Sequence, residues 1–196
     1  LTNTKVIKVN LKKLSSSTTV DFIGELDPEI VFVLGVGIIF DPLLSTLPKK
    51  TINIHSGLIP NYKGTAGNFW PFYFLEPTMA GTTFHIIDKY VDAGEIIHNN
   101  IPKLSRGDSM HDVACKAVLS AHDDVNLVVN HIIERVKLKI KPKKDTSLRY
   151  RGKLYLKSDW KPEMLRVIYE FFNDKIVDLY LDNKIKCPKP KLIKIN

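Results

Sequence analysis

Ile30-Val-Phe-Val-Leu34, then Asp41-Pro42, then Thr51-Ile-Asn-Ile-His55 set the fold class of this 196-residue chain. The first is an uninterrupted apolar run, expected of a strand in a parallel sheet covered on both faces. Asp41-Pro42 places an N-cap residue before a first-turn proline and so opens a short helix. The third stretch alternates as a strand does, which points Asn53 and His55 to the same face. Upstream, residues 6–9 read as a short strand, 15–19 as a loop and helix cap, and 20–26 as a helix stopped by Asp27-Pro28. This alternation predicts an α/β protein with a doubly wound, Rossmann-like, mostly parallel sheet. Ligands of such sheets gather at the carboxyl ends of the strands, where His55 falls.

Downstream, residues 67–75 form an aromatic helix candidate that ends before Pro77, and 82–87 and 95–101 are strands around the 88–94 loop. Residues 109–136 read as one long helix with Val113, Ala117, Leu127, Val128 and Ile132 facing the core. The alternation of 137–141 suggests a strand that ends at Pro142. The catalytic core is therefore assigned to 1–142 and a small α+β extension to 143–196. Within the extension, 153–156 is a strand, Lys161-Pro162 starts a helix to Phe172, and a Lys/Pro-rich tail begins at Lys184. Leu165, Ile168, Tyr169 and Phe172 make an apolar stripe at helical spacing, which either packs on its own domain or builds a homodimer.

Composition narrows the class further. At 44% hydrophobic and 26% charged, the chain can bury one good core. No apolar run approaches the roughly 20 residues of a membrane helix, and the first residues lack the charged-then-apolar design of a secretory signal. Two cysteines make no disulfide framework, so a reducing cytoplasm is the expected setting. Residues 1–140 carry 14 Lys/Arg against 14 Asp/Glu, whereas 141–196 carry 15 against 7, the whole of the net charge of +8. That basic end suits a phosphate-bearing substrate, a nucleic acid or plain solvent.

The chemistry concentrates between Asn53 and Gly94. An amide beside a titratable imidazole is what acyl transfer needs, one group for a developing oxyanion and one for a proton. Asp92, in a loop punctuated by Gly94, can orient a histidine. Asn53-x-His55, Pro60-x-Tyr62-Lys63-Gly64, Gly81-x-Thr83-x-His85 and Asp92-x-Gly94, in that order, resemble the folate-dependent formyltransferase family, most closely its sugar N-formyltransferases. The resemblance is strongest over residues 30–102. It implies formyl transfer from 10-formyltetrahydrofolate to an amine, with Asn53, His55 and Asp92 as the catalytic trio and no metal. It also implies pterin contacts from Gly37, Ile38 and Ile39 and from Asp88, Tyr90 and Val91, with His85 bracing the Asp92 loop. Tyr62, Lys63, Gly64 and Trp70 are the expected acceptor-binding residues. Relatives begin with a strand–helix–strand unit that this sequence lacks, on the order of ~30 residues.

Competing motifs fail on chemistry. Gly35-Val-Gly37-Ile-Ile-Phe40 puts Phe40 where a dinucleotide fingerprint needs its third glycine. His55, His85, Asp92 and His98 lack the spacing of a close metal-ligand pair. The cluster of Phe69, Trp70, Phe72, Tyr73 and Phe74 is too densely apolar for an open nucleic-acid platform. Among acceptors, the segment 55–64 with Gly67 and Trp70 favours a nucleotide-linked amino deoxysugar. Glycinamide ribonucleotide, initiator tRNA and water are the alternatives, nucleic acid and membrane being disfavoured as partners.

Overall fold

A computed structural model describes residues 4–138, 147 and 151–195. Its strands are β1 (Val31–Leu34), β2 (Thr51–His55), β3 (Tyr62–Gly64), β4 (Thr82–Ile86), β5 (Ile96–Asn100) and β6 (Lys153–Tyr155). Four of them form one sheet in the order β1-β2-β4-β5, and β3 and β6 form a second, parallel pair. The helices are α1 (Ser17–Leu26), α2 (Leu43–Thr46), α3 (Phe69–Tyr73), α4 (Met110–Lys137) and α5 (Ile176–Leu181). The α/β, Rossmann-like class holds, and β1-α2-β2 is the expected parallel unit. The sheet is mixed, however: β4 runs antiparallel to β2, and the 87–95 loop returns the chain as the antiparallel neighbour β5.

Local chemistry explains most boundaries. Asp41 Oδ1 accepts a hydrogen bond from Ser45 N at 3.1 Å at the start of α2, although the N-cap position falls on Pro42 rather than on Asp41 as the sequence suggests. Ser109 Oγ accepts from Asp112 N while the Asp112 carboxylate accepts from Ser109 N, a reciprocal cap that starts α4. The buried stripe of α4 is Met110, Val113, Ala117, Ala121, Val128 and Ile132. Leu127 lies one position off that stripe and is 39% exposed, which corrects its core assignment.

Other expectations also change. Residues 6–9 pair with no strand among the described residues, and Val6 is 72% exposed. Among the described residues β1 lies at one edge of the sheet; Val31, Phe32 and Val33 are half-buried and Leu34 is 58% exposed, where coverage on both faces was expected. Lys137 ends α4 instead of starting a strand; the rest of that expected strand, and the 142/143 domain boundary, lie outside the described residues. Sequence reading also missed α5.

The core forms two buried clusters. Ile52, Phe84, Ile97, Val128 and Ile132 fill the space between the sheet and α4. Tyr62, Trp70, Phe72, Val113, Tyr155, Ile168, Ile176 and Val177 make the other, with Leu165 and Phe172 packed against it. The apolar stripe of residues 165–172 packs on its own core through Leu165, Ile168 and Phe172, while Tyr169, 37% exposed, bonds His111 at 2.9 Å. At the far edge of the sheet, Asn99 N donates to Ile193 O at 2.7 Å and Ile193 N to Asn99 Oδ1 at 2.9 Å, so the tail covers β5.

Candidate active site

β2 carries Asn53 and His55 two residues apart, between β1 and β4. The antiparallel register sets Asn53 opposite His85. The β4–β5 pairing slips by one residue between Phe84 and His85, an irregularity of the kind that re-aims a side chain beside a site. His85 Nδ1 lies 3.0 Å from Ile86 O, and its Nε2 lies 3.0 Å from Asn53 Nδ2.

Asp92 closes the group from the loop after β4. It sits in left-handed backbone at φ 48°, a region Asp and Asn enter more readily than most residues. Its Oδ2 accepts from Gly64 N at 2.7 Å and its Oδ1 from Asn53 Nδ2 at 3.3 Å. His55 Nδ1 lies 3.4 Å from Oδ2, and His85 Nε2 lies 3.3 Å from Oδ1. The other edge of His55 is fixed as well, Nε2 donating to Tyr62 O at 2.7 Å. Gly57 makes this bond possible, since a Cβ there would lie 2.7 Å from both atoms.

Burial and pairing divide the charges. Burial pushes the Asp92 carboxyl up, but the His85 hydrogen bond, the His55 and His85 rings and the Gly64 N–H together bring it down to about 2. Burial holds His55 below its ordinary value against the opposing pull of Asp92 and the Tyr62 carbonyl. The resting pair is a neutral imidazole beside a carboxylate, ready to gain an ion pair when the ring takes a proton.

Both shifts act on stability in one direction. Each folded-state value lies below its unfolded value, so the folded protein binds fewer protons and acid destabilises it. The His55 contribution is present above pH 6.5 and is lost as pH falls from there; that of Asp92 is lost between 3.8 and about 2. Urea unfolding from pH 7.5 to 4.5 is expected to show His55→Gln flattening the pH dependence below pH 6.5. The change in slope should approach one proton, or ~1.4 kcal/mol per pH unit. Parallel curves for the variant and the parent protein would contradict it.

These side chains open on a cleft of about 510 Å³, within the size range of small-molecule sites. Gly37, Ile38, Ile39, Asp88, Tyr90 and Val91 line it, as do Asn53, His55, His85, Asp92 and Gly64. Tyr62, Lys63 and Trp70 do not, which corrects their assignment as acceptor contacts. Tyr62 OH donates to Glu76 Oε2 at 2.5 Å, and Trp70 Nε1 donates to Thr65 O while its ring stacks on Tyr155 at 4.3 Å. Lys63 is only 3% exposed. Tyr62 and Trp70 belong to the aromatic core beneath the site. His98 is likewise engaged elsewhere, with Asp124 at 3.2 Å. Among the described residues no cluster of His, Cys, Asp and Glu is placed to hold a metal ion.

The sequence model of the formyl transferase family matches residues 4–129. The chain belongs to this family. Solved structures agree in fold. The formyltransferase PseJ from Anoxybacillus kamchatkensis, in complex with UDP-4,6-dideoxy-4-formamido-L-AltNAc and tetrahydrofolate, is 21% identical; the match covers 77% of this chain and 76% of that one, with a TM-score of 0.51. A sugar N-formyltransferase from a Shewanella species is 23% identical over 77% of this chain and 56% of that one, with a TM-score of 0.56. Phosphoribosylglycinamide formyltransferase from Anaplasma phagocytophilum is 27% identical over 64% and 58%, with a TM-score of 0.54. The chain spans only about half the length of some of these structures, 53% of a glycinamide ribonucleotide transformylase from Symbiobacterium toebii.

One wall of this cleft escaped the sequence reading. Leu154, Tyr155, Leu156 and Lys157 line it, brought there by β6 pairing with β3 across some ninety residues of chain. The alternation of 153–156 marks a strand but not its partner. Gly64 and Gly152 are the residues that reveal the contact: a Cβ on Gly64 would lie 2.2 Å from Tyr155 O, and one on Gly152 1.6 Å from Pro60 O.

Proposed function

We propose that this chain transfers the formyl group of 10-formyltetrahydrofolate to the amine of a nucleotide-linked amino deoxysugar. The observation that carries the reaction is the convergence of Asn53, His55 and Asp92 in one cleft, each within 3.4 Å of another. The amine nitrogen bonds to the formyl carbon as the bond to the folate nitrogen breaks, and the amine proton passes to that leaving nitrogen. The cleft supplies both needs of that exchange. An oxyanion between Asn53 and His55 recruits the Asn53 N–H that rests on Asp92, the longer of its two bonds at 3.3 Å. His55, neutral at rest, takes the amine proton and Asp92 stabilises the imidazolium, an interaction gained only as reaction proceeds. Gly37, Ile38 and Ile39, with Asp88, Tyr90 and Val91, supply the apolar and backbone surface for the pterin.

The choice of acceptor is supported by where similarity extends. The matches to PseJ and the Shewanella sugar enzyme cover 77% of this chain, while that to the Anaplasma purine enzyme covers 64%. Cys115 and Cys187 are free thiols, in keeping with a cytoplasmic enzyme acting on nucleotide sugars. The test is a formylation screen with 10-formyltetrahydrofolate as donor against thymidine- and uridine-diphosphate amino sugars, glycinamide ribonucleotide and methionyl-tRNA. At least one sugar is expected to exceed both other acceptors in kcat/KM by about 100-fold or more. Preference for either alternative would overturn the acceptor, and tetrahydrofolate release that ignores every amine would indicate a hydrolase.

A further inference from the structure

The wall formed by residues 154–157 is built more firmly than its place after a long connection suggests. Tyr155 is buried, stacked on Trp70 at 4.3 Å and on Tyr62 at 5.9 Å. Thr65 N donates to Tyr155 O at 2.8 Å, and Leu156 N donates to Asp159 Oδ2 at 2.8 Å. Backbone and ring are thus anchored on both sides of the residues that face the cleft. Leu154 and Leu156 are nevertheless 38% and 53% exposed. Lys157 follows them, exposed and lining the cleft, and among the described residues it makes no ion pair or hydrogen bond. The cleft's other lysine, Lys89, lies over the Tyr90 ring at 5.1 Å.

An ordered apolar ledge ending in an uncommitted ammonium recognises a ligand with an apolar body and an anionic group. Its position says which substrate that is. β6 lies against β3, whose Gly64 N–H holds Asp92, while the pterin is assigned to residues 37–39 and 88–91. We propose that Lys157, with Leu154 and Leu156 beneath the ligand, binds the phosphate of the formyl acceptor. This assignment rests on the formyl-transfer reading given above. It makes Lys157 a specificity determinant that holds the acceptor without taking part in bond exchange.

The test compares Lys157→Ala, Lys157→Glu and Lys157→Arg with the parent protein in two measurements. The first is steady-state kinetics with the amino sugar nucleotide that the screen selects and with 10-formyltetrahydrofolate, each varied in turn. The second is calorimetric binding of UDP and dTDP, which needs no turnover. Lys157→Ala is expected to raise the acceptor KM about tenfold, and the Kd of the better-bound nucleotide likewise, leaving kcat and the formylfolate KM within about twofold. Lys157→Glu should weaken both further, and Lys157→Arg should restore most of the loss. An unchanged acceptor KM overturns the proposal. A rise confined to the formylfolate KM also overturns it and moves the contact to the glutamate carboxylates of the folate. A parent protein that transfers formyl to nothing defeats the functional reading instead. In that case UDP and dTDP still decide for Lys157, and failure of both to bind, or equal affinity in parent and Lys157→Glu, removes its role.

Discussion

Replacing Asp92 by Asn is expected to lower kcat by about 10³-fold or more while the protein stays folded. Asn keeps the shape of the side chain and tolerates the φ of 48° at this position. Its oxygen can still accept from Gly64 N, so the loop retains its anchor. What disappears is the negative charge 3.4 Å from His55 Nδ1. Burial already disfavours a charged ring, and without the carboxylate only the Tyr62 carbonyl is left to offset that cost when the amine gives up its proton. His55→Ala should have a comparable effect through loss of the proton acceptor itself. Single-turnover rates with saturating substrates, alongside thermal melting, separate this from misfolding. A variant retaining a tenth of the parent rate would remove Asp92 from the trio.

The largest structural effect is expected at Gly64. Its φ is +85°, where an L side chain is strained, and an added Cβ would lie 2.2 Å from Tyr155 O. Gly64→Ala must therefore push β6 away from β3 or abandon the local backbone, a cost of about 3 kcal/mol or more. For a chain of this size that corresponds to a melting point lower by roughly 6–12 °C. Activity should fall with it, because the Gly64 N–H positions the carboxylate of Asp92 at 2.7 Å. Gly24→Ala is the control: it lies within α1, nothing stands within 4 Å of its added Cβ, and it should be neutral or stabilising. Equal melting points for the two variants would show that β3 and β6 do not approach this closely.

The sequence made the local parts of this structure readable. β2, β4 and β5 follow from alternation, α4 from its cap and apolar stripe, and the short helix after Asp41-Pro42 from one dipeptide. Asn53, His55 and Asp92 stand out in the sequence because they lie within forty residues, two on one strand and one on a punctuated loop. What escaped depends on partners distant in sequence. Whether Val31–Leu34 is covered or outer is a property of its neighbours in the sheet, not of its own residues. Tyr62 and Trp70 looked like ligand contacts because polar-tipped aromatics serve both sites and cores; Tyr155 decides for the core, from ninety residues away. The charge state of His55 is not legible in the sequence for a related reason. A neighbouring carboxylate is visible in sequence, whereas the depth of burial that outweighs it is not.

The pairing of β3 with β6 also sets an order of events during synthesis. Asn53, His55 and Asp92 all leave the ribosome well before Tyr155, yet the amide that grips Asp92 belongs to a strand whose only sheet partner among the described residues is β6. A nascent chain can assemble the larger sheet and still have an unfinished cleft. The cleft is completed late, when the segment around Tyr155 emerges and docks, so a translation product halted before it would carry Asn53, His55 and Asp92 without the wall that finishes their setting.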